Sequence, residues 1–279
     1  MSSARPYGAI RILSCLGLAA LVFSNGGGAA PHDDFTVGGS ELYGLKAGQG
    51  APAVVFVSGM GEDLNTWKDV QPKAAELTTT FIYDRAGLGR SEPSPGSRDA
   101  RTLAVELRAL LRQAAVPPPF VVVGHSLGAW IASVFAHDYP GDTAGLVLID
   151  PAYRESRLRS ALLPADWAER EQALARYATQ MSDAQRREKE ALDASGEQVF
   201  AAFPLPGVPA VLLTGTKINP SFPSSGVERD VKLQDHREWM ARAGTVEHVI
   251  VTDARHYIQN EAPQRVIAAI TSVVAKARK

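Results

Sequence analysis

The run Gly124-His125-Ser126-Leu127-Gly128 holds the residues best suited to covalent chemistry. It follows the apolar Phe120-Val121-Val122-Val123 and precedes a helical stretch through Ala129, Trp130, Ile131, Val134 and Phe135. Two glycines therefore flank a serine where a strand must turn sharply into a helix. Small residues there let a strained turn lift the hydroxyl above a sheet, at the positive end of the helix. A serine hydroxyl is a weak nucleophile at neutral pH and needs a base. The chain offers six histidines: His32, His125, His137, His236, His248 and His256. His125 adjoins the serine in a turn that points neighbouring side chains apart. His32 precedes the folded body, while His137 and His236 fall within helical stretches. His256 lies beyond the apolar Val249-Ile250-Val251 and just before the last helical pattern.

The elements that must position these groups are legible as runs. Ala53-Val54-Val55-Phe56-Val57 is unbroken, apolar and rich in β-branched residues, as expected of a strand buried on both faces. Phe81-Ile82-Tyr83, Phe120–Val123, Leu146–Ile149, Val211-Leu212-Leu213 and Val249–Val251 repeat the type. Phe35-Thr36-Val37 and Glu41–Leu45, with Gly38-Gly39 between them, read as a hairpin. Leu103, Leu107, Leu110 and Leu111 share one helix face, as do Val266, Ile267, Ile270 and Val274. Strands alternating with helices predict a parallel sheet covered on both sides. Between Tyr153 and Phe203 the rhythm breaks into Arg, Glu, Ala and Leu with a single glycine, Gly196. That composition predicts helices over Arg154–Ser160, Asp166–Met181 and Asp183–Phe200, inserted between two strands. Arg186-Arg187-Glu188-Lys189-Glu190 reads as a solvated helix face.

From about Val37 to Val274 the chain resembles the α/β-hydrolase family. The resemblance is carried by Gly124 to Gly128, by Gly38-Gly39…Tyr43…Gly48-x-Gly50, by Ser58-Gly59-Met60-Gly61 and by Asp84-Arg85-Ala86-Gly87-Leu88-Gly89-Arg90-Ser91, with His256 late in the chain. It implies an α/β fold with an eight-stranded, mostly parallel sheet flanked by helices. A helical lid, about 153–203, would follow the sixth strand. It also implies Ser126 as nucleophile and His256 as base. The family's usual acid position falls in Gly215-Thr216-Lys217-Ile218-Asn219-Pro220, which has Ile218 in place of a carboxylate. Asp150, at the end of Leu146–Ile149, is the best replacement, because sites in open α/β folds gather at that sheet edge. Asn219, Asp230 and Asp235 are the other groups able to approach the imidazole. The backbone N–H groups of Met60 and Leu127 would hold an oxyanion. Asp84 and Arg85 read as structural, tying the Gly87/Gly89 loop to the rim of the site.

The ends and the composition set further bounds. Arg5 and Arg11, the apolar Ile12–Phe23 and the small residues Asn25–Ala30 have the layout of a secretory signal peptide over residues 1–30. This predicts a periplasmic or secreted protein whose mature domain spans 31–279. Contact with a membrane would come only through an uncleaved leader. Cys15, the one cysteine of the chain, lies in that leader, so the mature domain has no thiol for a disulfide, a metal site or catalysis. With 29 Lys and Arg against 30 Asp and Glu, there is no basic field for nucleic acid. The expected activity is a cofactor-free, metal-free serine hydrolase acting on a small ester-like substrate. Epoxide hydrolases and dehalogenases of the same fold use an aspartate nucleophile, which Ser126 argues against. The alternative is an inactive relative that binds a ligand or partner beneath the lid.

Overall fold

A computed structural model of the protein describes residues 32–220 and 224–279. The leader expected over residues 1–30, with Cys15, lies outside the described residues. β1 (His32–Val37) and β2 (Ser40–Ala47) form a hairpin around Gly38 and Gly39, at φ 59° and 88°. The chain continues through β3 (Ala53–Val57), α1 (Gln71–Ala75), β4 (Thr80–Tyr83) and α2 (Ala100–Gln113). It then runs through β5 (Phe120–His125), α3 (Leu127–Asp138) and β6 (Thr143–Ile149). Four helices follow: α4 (Glu155–Ala161), α5 (Pro164–Ala178), α6 (Asp183–Glu190) and α7 (Leu192–Ala201). The fold closes with β7 (Ala210–Gly215), α8 (Ser225–Ala243), β8 (Glu247–Val251), α9 (Ile258–Glu261) and α10 (Pro263–Ala277).

The strands form one eight-stranded sheet in the order β1-β2-β4-β3-β5-β6-β7-β8. Pairing is antiparallel for β1–β2 and β2–β4 and parallel from β4 onward. The unbroken apolar runs of β3, β5 and β6 are explained by their alternation between two cores, whereas Val249-Ile250-Val251 departs from the expected type because β8 is the sheet edge and Ile250 is exposed. Val55, Val57, Val122, Leu146 and Leu148 face a cluster built with α2 and α3, whereas Val54, Phe56, Val121, Val123, Val147 and Ile149 face one built with Trp67 and α10. A polar side chain on either face of a central strand is therefore kept only with buried partners, as with His125 on β5 and Thr214 on β7. No described helix is long and apolar enough to cross a membrane.

The order of strands places the crevice. β3 and β5 are neighbours, yet their following loops diverge: α1 joins the core with Trp67, and α3 joins the core with α2. A gap opens where two adjacent strands send their chains to opposite faces, at the carboxyl edge of the sheet. The segment expected as one helix over Asp183–Phe200 is two, α6 and α7, parted at Ala191. A capping box at Ser182 and Gln185 starts the first. The two halves answer to different partners. Glu188 of α6 binds Arg85, and Ser195 of α7 accepts from the Ala100 N–H at the start of α2.

α3 can lie this close to β3 only because residue 128 has no side chain. A Cβ there would stand 2.1 Å from Val57 O. Gly128→Ala is expected to lower stability by about 2–3 kcal/mol, since the obstacle is backbone. The midpoint of urea unfolding checks this; an unchanged midpoint would show that the helix can slide.

Candidate active site

Ser126 sits between β5 and α3 at φ 53° and ψ −117°, a conformation rarely adopted by residues other than glycine. The surroundings impose it. A Cβ on Gly124 would lie 2.2 Å from Gly128 O, so both flanking positions must be glycine. Ser126 N–H donates to Ile149 O at 3.0 Å, fixing the turn to the end of β6.

Asp150 follows directly, also at positive φ, 42°, and fully buried. Its Oδ1 accepts from the Gly215 N–H at 2.8 Å. Its Oδ2 accepts from Lys232 Nζ at 2.9 Å and faces His256 Nδ1 at 2.7 Å. Burial alone would raise this carboxyl. The hydrogen bond from His256 and the charges of Lys232 and His256 outweigh it, lowering the pKa to about 2. With Nδ1 engaged, the nitrogen of His256 left for proton transfer is Nε2. His256 and Ser126 border the same cavity, of about 370 Å³.

A second layer of polar groups surrounds His256 and Asp150. His125 is fully buried and spans from Glu62 Oε2, 3.1 Å from its Nδ1, to the carbonyl of His256, 3.0 Å from its Nε2. His236 of α8 lies behind Asp150, 2.9 Å from Pro151 O and 2.8 Å from Thr214 Oγ1. Thr214 in turn meets His248 at 2.8 Å. Burial pushes His236 down to about 4, which keeps it neutral and out of proton exchange at physiological pH.

The loop after β3 is held from two directions. Gly59 N–H donates to Glu62 at 2.8 Å, and Gly61 N–H donates to Glu188 of α6 at 2.8 Å. Both flanking donors are thus committed, while Met60 between them borders the cavity together with Leu127. Arg85, fully buried, donates to the carbonyls of Ser58 and Gly59 at 2.6 Å each, and to Glu188 at 2.7 and 2.9 Å. Ser58 stands where the resemblance has histidine. It donates to Asp63 O at 3.2 Å and accepts from the Trp67 indole N–H at 3.0 Å.

A family profile described as "Alpha/beta hydrolase family" matches residues 54–269. The chain belongs to this family. Among curated relatives, the uncharacterized protein YqjL of Bacillus subtilis (strain 168) is 38% identical over 107 residues, 38% of this chain and 42% of that protein. A soluble epoxide hydrolase of Corynebacterium sp. (strain C12) is 30% identical over 119 residues, 43% of this chain and 41% of that one. The alignments thus span about two fifths of these relatives' lengths. A thermophilic esterase from Thermogutta terrifontis superposes with a TM-score of 0.63 at 21% identity, covering 90% of this chain and 100% of its own. At that identity the likeness is one of fold.

Within this hydrolase frame, the structure brings Ser126, His256, Met60 and Leu127 to one cavity edge, with Asp150 buried behind the imidazole. Asn219 borders the cavity too, but the carboxylate at the imidazole is Asp150. Asp230 pairs with Arg229, and Asp235 with Arg154 and Arg157, so neither approaches His256. Asp84 does tie the Gly89 loop, accepting from the N–H groups of Leu64 and Arg90 at 2.7 and 2.9 Å. Arg85 is structural as expected, but its guanidinium braces the Ser58–Gly61 loop against the insertion rather than the Gly87/Gly89 loop. Glu188 is a correction. Its neighbours in the charged run are at least partly exposed, but Glu188 itself is fully buried on Arg85. Of the apolar insertion residues, Leu174, Tyr177 and Met181 line the cavity, whereas Leu158, Leu162 and Trp167 pack on Val231, and Phe200 and Phe203 on the main core. Lys232, Glu62 and Glu188 went unread as site residues. One signal existed: Lys232 and His236 are four apart on α8 and so share a helix face.

The Asp150 carboxyl carries a pH signature. Its folded pKa of about 2 lies below the ordinary aspartate value near 3.9. The ionised form is therefore favoured by folding. This stabilisation, on the order of 2 kcal/mol, is fully present above about pH 4 and is lost as pH falls toward 2. Urea unfolding at pH 7 and pH 3 should show a larger acid-induced loss for wild type than for Asp150→Asn. Parallel losses in the two proteins would contradict the assignment.

Proposed function

We propose that the protein is a serine hydrolase that cleaves a carboxylic ester, thioester or lactone through an acyl-enzyme on Ser126. His256 Nε2 takes the serine proton as Oγ attacks the carbonyl carbon, then returns it to the leaving alcohol or thiol. Asp150 fixes the tautomer by accepting from Nδ1 and stabilises the imidazolium that forms. The N–H groups of Met60 and Leu127 receive the oxyanion, Leu127 at the positive end of α3. Water, activated by the same imidazole, then releases the acid and restores the serine. The helices of residues 155–201 act as a lid that keeps bulk solvent from the acyl-enzyme.

The observation that carries this reading is the 2.7 Å contact of His256 Nδ1 with a buried, ionised Asp150 beside the cavity that Ser126 borders. An inactive ligand-binding relative would be favoured by a site without an acid, and Asp150 supplies one. The epoxide hydrolase among the relatives bears on fold ancestry; here the elbow residue is Ser126, not an aspartate.

A fluorophosphonate probe should label wild type and leave Ser126→Ala unlabelled; folded wild type that resists the probe would sink the reading. With a nitrophenyl ester, Asp150→Asn is expected to lower kcat by about 10⁴-fold, as loss of the orienting acid does elsewhere, while Asn219→Ala has a far smaller effect. The basic, apolar and small-residue layout of residues 1–30 supports export to the periplasm or beyond. N-terminal sequencing of the protein from a bacterial host's periplasm should find a start close to residue 31; a chain beginning at Met1 in the cytoplasm would refute export.

A further inference from the structure

The charge bordering the cavity runs against that of the whole chain. The protein as a whole carries a formal charge of −1. Of the charged side chains that border the cavity, Arg170, Lys189, Lys217, Arg229, Lys232 and Arg255 are cations, and only Glu155 and Glu228 are anions. Both anions are already occupied. Arg170 lies 3.9 Å from Glu155 and 3.3 Å from Glu228, and Glu228 also accepts from the Tyr153 hydroxyl. No uncommitted carboxylate faces the cavity to repel a negative ligand.

Most of the cations have partners as well. Lys232 is answered by Asp150 at 2.9 Å, Arg229 by Asp230 at 2.8 Å and Arg255 by Glu261 at 3.0 Å. Lys189 and Lys217 have no ion-pair partner among the described residues. They stand on different elements: Lys189 is half-buried on α6, beside the helix residue that grips the Met60 loop, and Lys217 is exposed just beyond β7. The cavity also has apolar surface, from Leu174, Tyr177, Met181 and Leu192. A cleft with one unmatched sign of charge concentrates ligands of the other sign, and low-dielectric walls strengthen the effect.

Building on the serine hydrolase reading, we propose that the substrate is an ester bearing an anionic group away from the scissile bond, in the simplest case a carboxylate. Lys189 and Lys217 receive that group, and the apolar part of the substrate lies along Leu174, Tyr177 and Met181. The two ammonium groups act on the ester's remote end and leave the chemistry at Ser126 to the triad. They therefore set which esters are selected, through kcat/KM, rather than how the bond is broken.

The test compares three synthetic esters of similar size: 4-nitrophenyl butyrate, mono-4-nitrophenyl glutarate and 4-butyryloxybenzoate. The second carries its carboxylate on the acyl side and the third on the alcohol side, so the pair tells which end the lysines read. At low ionic strength, kcat/KM for one of the two anionic esters should exceed that for the neutral ester by about tenfold, and the ratio should shrink with added salt. Lys217→Met and Lys189→Met should each lower the ratio, and Lys217→Glu should invert it. Preference for the neutral ester over both anionic ones would overturn the proposal. So would a ratio that is the same in wild type and in all three variants. If wild type neither turns over any ester nor takes the fluorophosphonate label, the hydrolase reading fails and carries this one with it. A labelled enzyme that hydrolyses only the neutral ester defeats this inference alone.

Discussion

The carboxylate of Asp150 is the constraint around which the site is organised. It is fully buried, and a lone carboxylate there would be far too costly to keep ionised. Four separate parts of the chain meet to meet that demand: the end of β6 that bears it, the Gly215 N–H at the end of β7, Lys232 from α8 and His256 from the loop after β8. Each contact satisfies a lone pair and, in doing so, fixes a segment. The group that orients the imidazole is also the one that tells β7, α8 and the final loop where to lie. Removing one partner from such a cluster leaves the others facing an unpaired charge, so the segments are held collectively.

The opposite rim is organised around a second buried ion. Arg85 gives its guanidinium to the two carbonyls that precede Met60 and to Glu188. Glu188 completes the bracket by accepting from the Gly61 N–H. The loop that carries Met60 therefore takes its shape from residues far away in sequence. His125 and Glu62 join the two rims, since one links the His256 backbone to the other, and Glu62 accepts from Gly59. The candidate site is a single hydrogen-bonded frame laid across the gap between β3 and β5.

What could be read from the sequence follows from where each constraint acts. The strands were legible because burial on both faces forces uninterrupted apolar runs such as Ala53–Val57. The turn at Ser126 was legible because its requirement is local: two glycines, a strand before and a helix after. Asp150 could be located by its place at a strand end, although the reach of the other carboxylates could not be judged without the fold. Lys232 and Glu188 were hidden for the same reason. Lys232 meets Asp150 across 82 residues, and Glu188 meets Arg85 across 103. A charged run such as Arg186–Glu190 gives no sign that one turn of the helix faces inward. The break at Ala191 was equally silent, because tertiary partners rather than proline or glycine divide α6 from α7.

The anchoring of α6 decides how anything reaches the serine. Lifting that helix would strand a guanidinium in a dry interior and undo the loop bearing Met60. α5 is held differently: none of its residues is buried. It separates the cavity from a neighbouring one of about 460 Å³ that shares Arg170, Leu174, Tyr177 and Glu228 with it. The insertion is therefore anchored unevenly: α6 is tied into a buried ion pair, whereas α5 lies between two cavities and meets α8 through Arg170 and Glu228.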